Sequence, residues 1–335
     1  MTSIPAGLAR ALDTALDRSV VLGYTRIGSG LRRRFWAADP PAGALLGKHV
    51  VVTGATSGIG EAMALSFARL GATVHVLGRT QKKIDTVLAD VRTQVPAAQV
   101  VGELCDVSDL DAVRAWCADL VGRVGALHGL VHNAGVLPPE RQESAQGHEM
   151  TLAAHVLGPH LMTELLLEPL RAGGRDGGAT VVWMSSGGMY TSGLRADDLQ
   201  YVQGEYDGVR AYARTKRMQV VLADAWAERL RESGVTAASM HPGWAGTPGI
   251  TDSLPGFGKV VGPLLRTAED GADTAVWLVA TRPSAPGTHH FWHDRRTRPT
   301  TYPVQKKDDR EQVADFLGQV AELTGTEAWP ATVLR

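Results

Sequence analysis

The stretch His49-Val50-Val51-Val52-Thr53-Gly54-Ala55-Thr56-Ser57-Gly58-Ile59-Gly60 decides the fold. A short apolar run rich in β-branched residues ends in a glycine-rich turn, and helical spacing begins at once. Glycines there permit a tight turn and bring the backbone close to a pyrophosphate, which sits at a helix N-terminus. Gly54, Thr56, Ser57, Gly58, Ile59 and Gly60 are therefore candidate phosphate ligands. Three residues separate Gly54 from Gly58, where the usual dinucleotide fingerprint has one. A glycine cluster after a strand is also what a plain turn looks like, so the neighbouring segments must decide.

Outward from that unit, similar apolar runs occur at residues 73–77, 100–104, 127–131, 180–184 and 235–240. Stretches of helical spacing separate them, as at residues 62–70 and 110–121. Strands apolar throughout belong to a parallel sheet covered on both faces, and strand–helix alternation makes the fold α/β, a doubly wound parallel sheet of Rossmann type. This domain is expected over residues 47–292. Residues 1–46 read as a helical extension and linker, because Ile4, Leu8, Leu12 and Leu16 fall four apart with Arg10, Asp13, Thr14, Asp17 and Arg18 opposite. Residues 293–335 read as a tail with one helix, started by Asp308 with Glu311 and carrying the stripe Val313, Phe316, Leu317 and Val320.

Composition narrows the function. The 335 residues carry a net charge of -1, which lacks the basic excess of a nucleic-acid protein. Two cysteines, Cys105 and Cys117, exclude a disulfide scaffold. No apolar run approaches the ~18 residues of a membrane span. Arg32-Arg33-Arg34-Phe35 is like an export signal, yet residues 37–47 are broken by proline and glycine. A cytoplasmic protein, at most peripheral to a membrane, is the expectation.

The second strand ends in Leu77-Gly78-Arg79. An acid there would bind a ribose 2′-hydroxyl, whereas arginine accommodates a 2′-phosphate, so NADP(H) is expected; a plain surface arginine is the competing reading. Tyr212-Ala213-Arg214-Thr215-Lys216 puts a tyrosine and a lysine on one helix face. A phenol serving near pH 7 needs its pKa lowered by about three units, which a neighbouring ammonium and an oxidised nicotinamide both favour. His289, His290 and His293 beside Asp294 raise a metal question, but alternating strand positions diverge, and no metal is expected.

Together with Val131-His132-Asn133-Ala134-Gly135 and Ser185-Ser186, these motifs occur in the order of the short-chain dehydrogenases/reductases, which residues 48–290 resemble. Ser185-Ser186-Gly187-Gly188-Met189, Met240-His241-Pro242-Gly243-Trp244, Gly271-Ala272-Asp273-Thr274 and Phe291-Trp292-His293-Asp294-Arg295 resemble its "member twelve" branch. The resemblance implies that Ser186 orients a substrate carbonyl, Tyr212 is the general acid/base, and Lys216 lowers its pKa and holds the ribose. It further implies cofactor contacts at Asp106 and Val107, at Asn133, Ala134 and Gly135, and at Pro242, Gly243 and Thr247. His155 stands where the family has an asparagine of its proton relay; histidine either takes over that role or is a packed residue beside a weakened relay.

The implied activity is hydride transfer between NADP(H) and a hydrophobic ketone, aldehyde or secondary alcohol. The 26 residues from Ser186 to Tyr212 supply extra substrate wall. Residues 245–265 read as a mobile cover, and Met189, Tyr190 and Trp244 as apolar lining. The alternative is a nucleotide-binding regulatory or scaffold protein with little catalysis. Expected partners are a small hydrophobic carbonyl or alcohol and a second copy of the chain, with no nucleic acid. For residues 1–46 the Rossmann body, a second subunit and a membrane surface compete, and packing is favoured over membrane.

Overall fold

The run before the glycine turn is a strand, β1 (His49–Thr53), and the turn opens directly into helix α4 (Gly58–Arg69). The remaining strands are β2 (Thr73–Gly78), β3 (Gln99–Leu104), β4 (Gly129–His132), β5 (Ala179–Met184), β6 (Val235–Met240), β7 (Phe291–His293) and β8 (Arg296–Thr297). They belong to a computed structural model that describes residues 5–246, 262–284, 290–302, 305, 307–330 and 332–333.

One sheet has the order β3-β2-β1-β4-β5-β6-β7-β8. Pairing is parallel as far as β7, and β8 returns antiparallel with Thr297 opposite Trp292. The order reverses between β1 and β4, so the crevice beyond their carboxyl ends is a topological switch point, where ligands bind in such sheets. Thr53 is level with Leu77 and Val52 with Val131, which brings three strand ends to that crevice together.

Two layers of helices cover the sheet. Along β1, Val50 and Val52 face one core and Val51 the other. The first core takes Phe67 of α4, Ile84 of α5 (Gln81–Gln94) and Trp277 of α11 (Ala268–Thr281). The second takes Trp116 of α6 (Leu110–Arg123), Leu161 of α8 (Gly158–Leu165), Trp226 of α10 (Gly208–Arg229) and Phe316 of α12 (Arg310–Thr324). Two short helices complete that side, α7 (Met150–Leu152) and α9 (Leu167–Arg175). Cys105 and Cys117 are buried free thiols.

Four expectations need correction. The boundary at 292 cuts β7, and the sheet continues to Thr297. The fourth strand begins at Gly129, because Leu127 gives its N–H to Pro169. Asp309, not Asp308, caps α12 by accepting the Glu311 N–H; Asp308 is held by Arg217. The first helix, α1 (Ala6–Arg18), is rotated from the expected facing: Leu8 and Leu12 are 54% and 43% exposed and Leu16 is buried, while Asp13 and Asp17 are 5% and 8% exposed and Arg10, Thr14 and Arg18 stay outside.

The cause of that rotation is electrostatic. Arg32 of α3 (Arg26–Arg32) donates to Asp13 at 2.8 Å, and Arg298 binds it through two nitrogens at 2.8 and 2.9 Å. Burial alone would raise the Asp13 pKa, but these arginines and Arg296 outweigh it and hold the carboxylate below its ordinary value. Arg32 also reaches Asp294 at 2.7 Å, and Arg266 grips the same carboxylate at 2.6 and 2.9 Å. A carboxylate with several charge-assisted donors is stable inside the protein where an unpaired one is not. Periodicity shows the apolar face, but not cations that lie hundreds of residues away.

Candidate active site

The turn after β1 is shaped by close approach. Gly54 has φ of 62°, and a Cβ there would stand 2.8 Å from Cα of Ala134. Gly60 rests on the Gly54 carbonyl with no room for a side chain. Ser57 precedes α4 without making a capping hydrogen bond, so the first N–H groups at Gly58, Ile59 and Gly60 have no side-chain partner. Those donors and the positive end of the helix dipole suit a phosphate group. The residues thus fit a dinucleotide, whose pyrophosphate this turn would hold. The Ile59 side chain packs against Gly271 of α11 instead.

Asn133 secures this turn from below. Its Nδ2 donates to the Thr53 and Gly54 carbonyls at 2.9 and 3.2 Å, while the Asn133 and Ala134 N–H groups bind Thr53 Oγ1. Its side chain is spent on the scaffold. A Cβ on Gly78 would stand 2.4 Å from Cγ2 of Thr56, so the end of β2 lies close against the turn. Arg79 is exposed next to it, with Nη1 3.8 Å from Asp106, and the other Asp106 oxygen accepts from Ser108. The Val107 carbonyl is pressed against Gly158 at the start of α8.

At the end of β5 the chain brings Ser186, Tyr212 and Lys216 together. Ser185 Oγ donates to the Lys216 carbonyl at 2.8 Å, and Lys216 Nζ donates to the Met184 carbonyl at 2.7 Å. These bonds lock α10 to the strand end. Burial raises the Tyr212 pKa, and a hydrogen bond with Ser186 counters it. Lys216 is pushed down to about 7 by burial. Its Nζ lies 5.1 Å from the centre of the Tyr212 ring and points elsewhere. Desolvation dominates both groups here.

His155 lies in a π-helical turn (Ala153–Leu157) between α7 and α8, a device common at functional sites. Its Nε2 accepts the Val136 N–H at 2.9 Å, so Nδ1 carries the proton and donates to Thr215 Oγ1 at 2.8 Å. Burial and then Lys216 hold it well below 6.5, hence neutral. Both nitrogens are engaged, which favours the packed reading over a relay. Gly135 lies against the same ring.

Sequence reasoning missed two residues. Gln219 takes Lys216 Nζ on its Oε1 at 3.1 Å and donates its Nε2 to the His155 carbonyl at 3.0 Å. It sits three residues after Lys216, one helical turn, and that spacing was the available signal. Tyr24 ends the short helix α2 (Val20–Tyr24) and is buried with its ring on Gly187, 4.2 Å from the His241 ring and 5.9 Å from that of Trp244. No local pattern announces it.

The loop after β6 is fixed to that segment. Trp244 N–H and Arg266 Nε donate to the Tyr24 carbonyl, while Arg266 packs on Gly243 and reaches the Pro242 carbonyl. Thr247 and the expected cover residues 247–261, with Leu254, Pro255, Phe257, Val260 and Val261, lie outside the described residues, as does His289. His290 pairs with Asp224, and His293 stacks on His241 with ring centres 3.8 Å apart, so the two diverge. Met189 is core packing against Val220 and Phe291, not apolar lining.

Comparison with known proteins agrees with this geometry. The short chain dehydrogenase profile matches residues 48–254. Dehydrogenase/reductase SDR family member 12 of Homo sapiens is 32% identical, over 82% of this chain and 87% of that protein. Retinol dehydrogenase 13 of Homo sapiens is 27% identical, over 87% and 88%. A crystal structure of an uncharacterized protein from Mycobacterium Paratuberculosis superposes with TM-score 0.66 at 26% identity, covering 88% of this chain and 99% of that one.

Proposed function

The chain belongs to the short chain dehydrogenase family of oxidoreductases, and we propose that it works as a reductase of hydrophobic ketones or aldehydes with NADPH. The reading rests on one observation, the convergence of Ser186, Tyr212 and Lys216 at the end of β5, with the phenol neutral and hydrogen-bonded to the serine.

When bound, a reduced nicotinamide would supply the hydride. The turn at residues 54–60 would hold the pyrophosphate, Arg79 would pair with a 2′-phosphate, and Pro242 and Gly243 would help hold the nicotinamide end. Ser186 donates a hydrogen bond to the substrate carbonyl oxygen and polarises it. Tyr212, kept protonated by burial, gives its proton to that oxygen as negative charge develops there. Lys216, with a pKa brought near 7, is suited to accept and return protons at working pH.

An apolar substrate agrees with Tyr24 and Trp244 beside the site and with the retinol named for one relative. The test is NADPH oxidation with a panel of apolar carbonyls, using wild type and Tyr212→Phe. Turnover should fall by roughly 10²–10⁴-fold in the variant while NADPH affinity holds. Activity within a few-fold of wild type would mean that another group supplies the proton.

A further inference from the structure

The outer face of α1 leaves a surface that the catalytic reading does not use. Five of the eleven large apolar side chains exposed among the described residues fall in residues 8–31: Leu8, Leu12, Leu22, Ile27 and Leu31. On α1 the outward positions at helical spacing are Leu8, Ala11, Leu12 and Ala15; on α3 they are Ile27, Gly30 and Leu31. Arg32 joins Asp13 directly, so the inner faces of both helices converge on one ion cluster and their outer faces turn away from the body together.

Charge singles out the occupant. Residues 1–38 contain two acids, Asp13 and Asp17, and both are buried beneath arginines. Arg10, Arg18, Arg26 and Arg34 are exposed and form no ion pair among the described residues. The surface of this segment is thus apolar and cationic, without a negative charge of its own. A second copy meeting it by two-fold symmetry would set these arginines against themselves.

We propose that this outer face docks the protein on an anionic lipid bilayer. The leucines and isoleucine enter the headgroup boundary, and the arginines meet lipid phosphates and carboxylates. No helix among the described residues is long and apolar enough to cross a membrane, so the attachment is peripheral. The inner side of the same segment carries Tyr24, so the docked element and the wall of the site are one piece.

Co-sedimentation of the full chain with vesicles tests this. Phosphatidylcholine vesicles carrying about one third phosphatidylserine should bind the protein, pure phosphatidylcholine far less, and salt raised toward about 0.5 M should release it. Arg18→Gln with Arg26→Gln should weaken binding by roughly twenty-fivefold, about fivefold per arginine. Leu12→Asp with Leu31→Asp should abolish it; thermal melting and NADPH turnover report whether either variant is folded, and neither pair touches the proposed catalytic groups. Equal binding to both vesicle types, or none to either, overturns the proposal. So does a dimer in solution that Leu12→Asp with Leu31→Asp dissociates, since a second copy would then cover the face.

Discussion

The ring of Tyr24 fills the space that a side chain on Gly187 would need: a Cβ there would stand 2.6 Å from Tyr24 Cε2. Gly187 follows Ser186, so a residue from the N-terminal segment limits the proposed site from outside the sheet. Tyr24→Ala should cost about 3 kcal/mol of stability, as large-to-small core changes do. It should also raise kcat/KM for bulky ketones relative to small ones. Thermal melting and a substrate series check this; an unchanged ratio would remove Tyr24 from the site wall.

Arg79 should select the cofactor. Its guanidinium is exposed and only loosely held by Asp106 at 3.8 Å. Arg79→Ala should weaken NADPH about tenfold or more, the loss of one charge-assisted hydrogen bond, and leave NADH unchanged. Calorimetric titration of both nucleotides decides it, and a wild-type preference for NADH would refute the assignment.

Gln219 should tune Lys216. Its Oε1 accepts from the ammonium and so favours the charged form. In Gln219→Met that support is gone, and the lysine pKa should move further below about 7. The limb of the kcat/KM profile that reports this lysine should shift to lower pH by about one unit. A profile superimposable on wild type would leave Gln219 a purely structural role.

Acid should destabilise the fold early. His132 and His160 are buried, and burial pushes each pKa down to about 3. Between that value and the unfolded value near 6.5 the unfolded chain binds more protons, so stability falls as pH drops through 6.5. Each contributes a loss of about 2 kcal/mol at pH 5. Urea melts at pH 7 and pH 5 should show it, with the pH-dependent loss about 2 kcal/mol smaller in His160→Gln. Equal losses in the two proteins would contradict the buried neutral state.

The parts of this protein legible in its sequence are those written in short spacings. The turn at residues 53–60, the strand alternation and the step from Tyr212 to Lys216 each span a few residues, within which backbone geometry fixes the neighbours. The orientation of α1, by contrast, depends on Arg298, 285 positions from Asp13. Met189 is read as lining until Phe291 is seen to cover it. His155 takes its two ring partners, Val136 and Thr215, from positions 19 and 60 residues away. The sense of the Tyr212 shift depends on desolvation, which becomes visible only when the packing is known.

The ion cluster around Asp13 also orders events in time. Asp13 is translated 285 residues before Arg298, and Arg32 precedes Asp294 by 262. At ribosomal speeds this interval is roughly 15–60 s. Throughout it Arg32 is made but Arg296 and Arg298 are not, so Asp13 lacks two of the three arginines that hold it in the finished fold. The helix can seat only after β7 and β8 have emerged and joined the sheet, which makes its docking a closing step of synthesis. A nascent chain arrested before Arg298 would hold a nearly complete sheet with its first helices still loose, and proteolysis there would begin within residues 6–32.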